Sequence, residues 1–429
     1  MTANVVKLGQ IATIDISNVD KKSKVGEAEV RLCNFVDVYH NWAITGNISK
    51  GFMIATANEN QVVRFSVKKG MIAITKDSET RNDIGIPTYF ADDFTDVVLG
   101  YHCALIKPDE TILEGKYLNV VLHTEYAKRY FEANASGSGQ RYTLTNEIIA
   151  GFPVPLPTIE EQRKIGNLFS TIDKKIENNN AICADLEGMA KLLYDYWFVQ
   201  FDFPDENGKP YKSSGGKMVW NEELKREIPE GWENGIVSDL GTVVTGGTPS
   251  TGCAEYFAKS KSGHAWATPK DLSNLNGRYF YHGEADITDA GLKNSAGNIM
   301  PKGSVLFTTR APIGYIAITA NEACTNQGFK SIIPAKKFGT EFVFQTLKML
   351  TPQMQRVGVG STFKEVSKDV FSHQSIVIPS VNLLKKYAAL TLDIAEKIRN
   401  TQEENVELTS LRDFLLPMLM NGQVKVKGA

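Results

Sequence analysis

Apolar residues recur at steps of three and four in two long stretches of the chain, residues 159–200 and 381–420. The first seam comprises Ile165, Leu168, Ile172, Ile182, Leu186, Met189 and Leu193. The second seam comprises Tyr387, Leu390, Ile394, Ile398, Leu408, Leu411 and Leu415. Seams of this length are typical of coiled coils, so each stretch is predicted to be one long helix. The alternative is that each apolar stripe packs only on its own domain.

The two predicted helices are copies of each other. Aligning Pro157 with Pro379 carries the register forward without a gap, so that Ile172 falls on Ile394. Upstream, VKKGMIAIT at 67–75 corresponds to MPKGSVLFTTR at 300–310. An internal duplication of this kind indicates two copies of one module, each a globular head followed by a helix. Equivalent helices related by a two-fold axis perpendicular to their length run antiparallel.

Within each head, short β-prone runs such as GMIAIT and SVLFTT alternate with turn residues, and helical patterns follow them. The predicted fold class is α+β, with two tandem mixed α/β domains separated by long helices that form an antiparallel coiled coil. The predicted domains are a first head over 1–158, a central helix over 159–200, a connector over 201–232, a second head over 233–380 and a C-terminal helix over 381–420.

Composition narrows the class of protein. The 42% hydrophobic and 22% charged fractions indicate a globular chain, and no apolar run is long enough to cross a bilayer. The 5 cysteines are scattered without a CxxC spacing, which is typical of reduced thiols in the cytoplasm, and the N-terminus has no secretory-signal pattern. A net charge of −2 means that local basic clusters or partner proteins, rather than overall charge, must contact any nucleic acid.

The sequence carries none of the motifs that would give this chain a reaction of its own. It has no GxxxxGK[ST] phosphate loop, no HExxH pair and no Asn-Pro-Pro-aromatic motif of adenine methyltransferases. We therefore predict no catalytic residue, no metal ligand and no enzymatic activity of the chain alone.

Several strings together resemble the specificity subunit of type I restriction-modification systems. They are FPVPLPTIEEQRKIGNLFSTIDKKIE with its later partner SIVIPSVNLLKKYAALTLDIAEKI, then IPEGW at 228–232, GSVLFTTRAPIG, TNQGF and the terminal LLPMLMNGQVKV. The resemblance covers nearly the whole chain, and its specificity comes from the order and duplication of the strings. The first module departs from the pattern, because it has no IPEGW-like opening and carries ITKDSETRNDIGIP where the second has TTRAPIG.

This resemblance implies that the heads are target-recognition domains, each reading one half of a split, asymmetric site in double-stranded DNA. The helices would set the spacing between the two half-sites and bind two adenine methyltransferase subunits. Restriction subunits would then join this complex. The chain itself would bind no cofactor. S-adenosylmethionine is expected on the methyltransferase partner, and ATP and Mg on the restriction partner.

Candidate DNA contacts are residues whose side chains suit guanine edges, adenine edges or phosphates and that lie in predicted loops or at strand ends. In the first head they are Lys76, Arg81, Asn82, Gln140, Arg141 and Tyr142. In the second head they are Lys270, Arg310, Asn326, Gln327, Thr362 and Lys364. An isolated surface Arg or Lys is often only solvated, and Arg310 and Asn326 could equally hold strands together.

Two rival functions fit parts of the same pattern. A two-headed scaffold that binds proteins or glycans has the same composition, and it would show no DNA preference. A self-contained methyltransferase or nuclease would be indicated by methyl transfer or cleavage by the isolated chain, although the expected motifs are missing.

Overall fold

The computed structural model describes residues 4–139, 141–310, 312–359, 365–420 and 426. The chain divides into two compact units. The first unit contains the described residues up to Asn178 together with those from Asn405 onward, and the second unit is Asn179–Glu404. We keep the name first head for residues 4–158 and second head for residues 233–380.

The first head is built from short strands and short helices. Its strands are β1 (Asn4–Lys7), β2 (Ala12–Ile16), β3 (Ala28–Cys33), β4 (Ala43–Ile44), β5 (Met53–Ala57), β6 (Ile72–Thr75), β7 (Asp77–Ser78), β8 (Pro87–Phe90), β9 (Val97–Leu99), β10 (Cys103–Pro108), β11 (Ser136–Ser138), β12 (Arg141–Thr143) and β13 (Pro153–Leu156). Its helices are α1 (Phe35–His40), α2 (Gly46–Ser49), α3 (Glu59–Phe65), α4 (Gly115–Leu122), α5 (Glu125–Asn134) and α6 (Asn146–Ala150).

A five-stranded sheet in the order β2-β10-β6-β8-β4 forms the centre of the first head. Its neighbours are antiparallel except for the parallel pair β4 and β8. Ile72 and Ile74 face a core shared with α4, while Ala73, between them, faces a second core that includes β9. Because side chains alternate across a strand, the continuous apolar run of β6 is explained by burial of both faces of the sheet.

Helix α7 (Ile159–Tyr194) follows the first head and continues into a single π-helical turn at Asp195–Val199. Its start is fixed by a capping box, in which Thr158 Oγ1 accepts from the Glu161 backbone N–H and the Glu161 carboxylate accepts from the Thr158 N–H. The connector then forms a hairpin of β14 (Met218–Asn221) and β15 (Arg226–Pro229). Phe201 and Trp232 of the connector share one hydrophobic core with Phe307 and Phe342, which lie beyond residue 232.

The second head repeats this construction. Its strands are β16 (Glu233–Ile236), β17 (Gly241–Thr245), β18 (Phe257–Lys259), β19 (His264–Ala267), β20 (Tyr279–Phe280), β21 (Ala285–Ile287), β22 (Val305–Thr309), β23 (Ile313–Thr319), β24 (Ala323–Thr325), β25 (Lys330–Pro334) and β26 (Ser375–Ile378). Its helices are α8 (Pro269–Ser273), α9 (Asp289–Lys293), α10 (Gly339–Val357) and α11 (Lys368–Ser372), and the long helix α12 (Val381–Met420) comes after it.

The two heads have the same sheet topology. The order β17-β25-β22-β23-β20 matches β2-β10-β6-β8-β4 strand for strand, including a parallel last pair, β20 with β23. Gly70 and Gly303 precede the equivalent central strands with φ of 91° and 86°, a left-handed conformation that favours glycine. The duplication predicted from the helices therefore extends through the heads, although their sequences are hardly alike.

The two long helices pack antiparallel within each unit. In the second unit Asn179 Nδ2 donates to Glu404 Oε2 at 2.8 Å, the Cys183 thiol lies 3.9 Å from the Ile398 carbonyl, and Tyr194 contacts Tyr387 with ring centroids 6.4 Å apart. The residue numbers of the contacted α12 residues decrease as those of α7 increase, which is the pattern of antiparallel helices. In the first unit Phe169 of α7 is buried against Leu415 and Leu416 of α12. The predicted fold class is confirmed.

The predicted seam needs a correction. Its side chains at Ile182, Met189, Leu390 and Leu411 are 40%, 56%, 54% and 44% exposed, so these assignments were wrong. The buried α7 positions beyond Ile172 are instead Asn179, Cys183, Ala190 and Tyr194, and Trp197 follows them in the π-helical turn. A four-residue step from Ile172 to Ile176 moves the seam one residue forward, a shift that a strict heptad count started at Ile165 cannot follow.

The remaining seam residues are all buried or half-buried. Ile172, Tyr387 and Ile398 are buried. The others are half-buried, namely Ile165, Leu168, Leu186, Leu193, Ile394, Leu408 and Leu415. Asn179, which interrupts the apolar pattern, is 1% exposed and bonded to the opposite helix, a device that fixes the register of coiled coils.

Candidate nucleic-acid interface

Three segments that are distant in sequence meet at one edge of the first head. They are the end of β6 with β7, the turn between β9 and β10, and the returning strand β12. Backbone hydrogen bonds join them, because the Lys76 N–H donates to the His102 carbonyl at 2.9 Å and the Leu144 N–H donates to the Lys76 carbonyl at 2.8 Å. β12 pairs with β7, so that Thr143 lies opposite Asp77.

Asp77 is the centre of a polar cluster at this junction. Its Oδ2 atom accepts from Lys76 Nζ at 2.8 Å and lies 2.6 Å from His102 Nδ1 and 3.3 Å from Arg141 Nη2. The Asp77 and Lys76 side chains are only 8% and 13% exposed, whereas that of Arg141 is 56% exposed. Lys76 is therefore sequestered by Asp77, and Arg141 is the cation of the cluster that faces solvent.

The charge state of the cluster follows from its hydrogen bonds. Burial raises the pKa of the Asp77 carboxyl, but hydrogen bonds from Lys76, Thr143 and His102 outweigh burial and hold the pKa at about 2. The Coulombic attraction of Asp77 and the hydrogen bond to it raise the pKa of the Arg141 guanidinium. His102 Nδ1 is also 2.8 Å from Arg141 Nη2, and we assign its proton to the Asp77 bond, because a lone pair would otherwise face the carboxylate.

A cleft of about 610 Å³ opens beside this cluster. One wall is α1, whose Tyr39 hydroxyl donates to the Asp83 carboxylate at 3.0 Å. The lining residues are Phe35, Val36, Tyr39, His40, Asp77, Ser78, Glu79, Thr80, Asp83, His102 and Arg141. The cleft therefore combines an exposed guanidinium with several carboxylates.

The other first-head candidates surround the same junction. Arg81 donates from Nη2 to the Ala135 carbonyl at 3.0 Å, and its guanidinium lies 5.8 Å from the Tyr142 ring centroid. Asn82 is exposed beside it in the same loop. Gln140 lies outside the described residues. The described first-head candidates thus lie in one region, although the sequence did not indicate that Lys76 and Arg81 bond within the protein.

The second head forms the equivalent junction with different residues. The Thr309 N–H donates to the Gly328 carbonyl at 2.8 Å and the Val366 N–H donates to the Thr309 carbonyl at 3.0 Å, repeating the two bonds of the first head. Arg310 then pairs in the ladder with Glu365, as Asp77 pairs with Thr143. Arg310, which is exposed, therefore occupies the position that Asp77 holds in the first head.

Asn326 and Gln327 belong to the turn of this second junction. Asn326 Oδ1 accepts from the Gly328 N–H at 2.9 Å, and Gln327 bonds the Thr248 hydroxyl. The Asn326 side chain therefore bonds within its own turn. Lys270, on α8, is exposed and bonds Glu284 at 2.7 Å. Thr362 and Lys364 lie outside the described residues.

Sequence reasoning missed Asp77, His102, Tyr39 and Asp83. Acidic side chains are not expected at a surface that meets DNA, and 64 positions along the chain separate Asp77 from Arg141. One available signal was the departure of ITKDSETRND from TTRAPIG, which puts an acid where the second module has Arg310.

The described residues contain neither a metal-binding cluster nor a membrane-spanning helix. No group of three or more His, Cys, Asp or Glu side chains in those ranges is arranged to hold a metal ion. None of the helices in this part of the chain is both long enough and apolar enough to cross a membrane.

Two heads of one topology, each with a polar junction at the same edge but opposite charges at the equivalent position, define a two-headed recognition protein. Residues 2–188 and 229–410 match the type I restriction modification DNA specificity domain, and the chain belongs to that family.

Individual relatives agree with this assignment. The chain is 25% identical over 412 residues, 84% of its length and 87% of the relative's, to the type I restriction enzyme HindI specificity subunit of Haemophilus influenzae. It is 35% identical over 195 residues, 44% of each chain, to the MjaIX specificity subunit of Methanocaldococcus jannaschii. The crystal structure of a type I system S subunit from M. genitalium superposes with a TM-score of 0.51 at 14% identity, covering 96% of this chain and 95% of that one, which supports the fold.

Proposed function

We propose that the chain is the sequence-specific DNA-binding specificity subunit of a type I restriction-modification complex. Each head would bind one half of a bipartite, asymmetric site. The observation that carries this proposal is the junction built by the same backbone hydrogen bonds in both heads, with Asp77 in one and Arg310 in the other. One scaffold with opposite charges at one position presents different hydrogen-bonding groups, so a palindromic site is not expected.

The partners of the proposed complex are two adenine methyltransferase subunits and restriction subunits. Large apolar side chains on the long helices face away from the helix seam, including Met189 and Leu192 in the second unit and Phe414 in the first, which are 56%, 69% and 61% exposed. Exposed apolar surface of this kind suits a protein partner, and we assign it to methyltransferase docking.

In this proposal the chain performs no chemistry itself. The methyl donor S-adenosylmethionine would bind the methyltransferase subunits, and ATP and Mg would bind the restriction subunits. We place the complex in the cytoplasm, a location compatible with five unpaired cysteines.

The first test measures DNA binding of the purified chain with and without its methyltransferase subunit. Because the net charge is −2, we expect weak, strongly salt-dependent binding by the chain alone and tight, sequence-specific binding by the complex. Equally tight and specific binding by the isolated chain would contradict this division of labour. A complex that shows no DNA preference but binds other proteins or glycans would contradict the proposal as a whole.

The second test determines the methylation pattern in cells that express the chain together with that methyltransferase. The proposal expects methylated adenines in a two-part, non-palindromic motif that disappears when the chain is omitted. Methylation that persists without the chain, or a continuous palindromic motif, would contradict it.

A further inference from the structure

We propose that Arg141 reads a guanine in the half-site of the first head, and that Asp77 and His102 position its guanidinium for that contact. The inference rests on the proposed DNA-binding function and assigns within it a specificity-determining residue and its supports. It concerns the cleft between α1, the loop that follows β7, and β12.

The contacts around Arg141 hold its side chain in place and leave guanidinium N–H groups available to a ligand. The hydrogen bond to Asp77 and the close approach to His102 Nδ1 both involve the single nitrogen Nη2, and Tyr101 also bonds the guanidinium. A guanidinium has five N–H donors, and this side chain is 56% exposed, so several donors remain for a ligand. Arginine that offers two parallel N–H groups matches the O6 and N7 acceptors on the major-groove edge of guanine.

The surroundings of Arg141 favour a base edge over a phosphate. Asp77, Glu79 and Asp83 line the same cleft, and Asp77 is held ionised with a pKa of about 2. A carboxylate 3.3 Å from the guanidinium, in a cleft with two further carboxyl groups, repels a phosphate group, whereas carboxylates accept hydrogen bonds from the amino group of a paired cytosine. A cleft that mixes one exposed cation with acids therefore suits a G·C pair.

The backbone at His102 indicates that its side chain is needed. His102 has φ of 72°, a left-handed conformation that is unfavourable for residues other than glycine. A histidine retained in this conformation places its imidazole between Asp77 and Arg141.

The test uses the full chain in complex with its methyltransferase and compares Arg141→Lys with Arg129→Lys, an exposed arginine of α5. Lysine keeps the charge and loses the fork of donors. We expect Arg141→Lys to relax the methylation motif at a single G·C position, with about tenfold to hundredfold lower discrimination there, and the rest of the motif unchanged. Arg129→Lys should retain the parent motif, and thermal unfolding should show that both variants fold.

The positioning role is tested by a double-mutant cycle with Asp77→Asn. If Asp77 acts through Arg141, Asp77→Asn alone lowers discrimination at the same G·C position, and adding it to Arg141→Lys causes no further loss. An additive loss spread over many positions, as expected for a merely structural residue, would contradict the positioning role.

Other outcomes would overturn the assignment of guanine to Arg141. Uniform weakening across all sequences, with discrimination at every motif position unchanged, would show that Arg141 binds the DNA backbone. An unchanged motif, or relaxation at an A·T pair, would also refute it. The proposed DNA-binding function would fail in a different way: the unmutated complex would then produce no methylation motif that depends on the presence of this chain.

Discussion

At the scale of single residues, Asp173 of α7 makes stability depend on pH. Burial raises the pKa of its carboxyl to about 7; the like charge of Glu177 also raises it, while the charge of Arg412 partly opposes the shift. The folded chain therefore binds a proton that the unfolded chain has lost between about pH 4 and 7. This group consequently disfavours folding increasingly as the pH rises through that window, and its effect is constant above it.

We expect Asp173→Asn to raise the melting temperature at pH 8 and to have little effect at pH 4.5. The amide removes the buried charge but keeps the shape of the side chain. Thermal unfolding at the two pH values measures the difference, with the exposed carboxylate Asp185 on the same helix, changed to Asn, as the control. An equal gain at both pH values would contradict the assignment to Asp173 ionisation.

A buried ion pair in the second head gives a second residue-scale prediction. Arg278, 2% exposed, donates from Nη1 to Glu341 Oε1 at 3.1 Å. Removing only the carboxylate leaves a buried cation without its partner, so Glu341→Ala should lower the free energy of unfolding by about 3–5 kcal/mol. Urea unfolding measures this loss, and the double variant Arg278→Met with Glu341→Met should recover most of it. No recovery would show that lost packing, rather than the unpaired charge, is the cause.

At the scale of elements, the corrected helix seam separates two residues that the sequence treated alike. Ile398 is fully buried against Cys183, whereas Leu390, on the same helix, is 54% exposed. We expect Ile398→Ala to lower the free energy of unfolding by about 2–5 kcal/mol, because it creates a cavity between helices. Leu390→Ala should change it by less than about 0.5 kcal/mol.

The same pair of variants also probes docking. Leu390→Ala should weaken binding of the methyltransferase subunit while leaving the isolated chain stable, and titration calorimetry of the two proteins would measure this. If both substitutions lowered the free energy of unfolding equally, Leu390 would belong to the helix interface, as the sequence pattern predicts.

The helices were predictable from sequence because their periodicity is local and is present twice. Their exact seam was not, since the step at Ile176 depends on which residues the opposite helix offers. Strand pairing in the heads was harder to predict from the sequence. β6 pairs with β10 about thirty residues later, and no local sequence pattern specifies that partner. Asp77 shows the same limit at the candidate site, as its partner Arg141 is brought to it only by the pairing of β7 with β12.

At the scale of the whole molecule, the two heads should be separable in function although they share one topology. We expect Arg310→Gln to alter recognition in one half of the methylation motif only, and Arg141→Lys to alter only the other half. Sequencing of methylated DNA from cells expressing each complex measures both halves, with the exposed Lys293→Gln of the second head as a charge-loss control. Changes in both halves from Arg310→Gln would contradict independent reading.

The path of the chain through the first unit also has a consequence for its synthesis. Phe169 and Trp42 are covered by side chains near the end of α12, where Arg412 lies 4.7 Å from the Trp42 ring centroid. Ribosomes add about 5–20 residues per second, so this apolar surface stays bare for roughly 10 to 50 seconds while the second unit is made. The first unit, although it is synthesised first, thus acquires its last packing contacts only at the end of translation. During that interval its exposed apolar surface is a binding site for a chaperone.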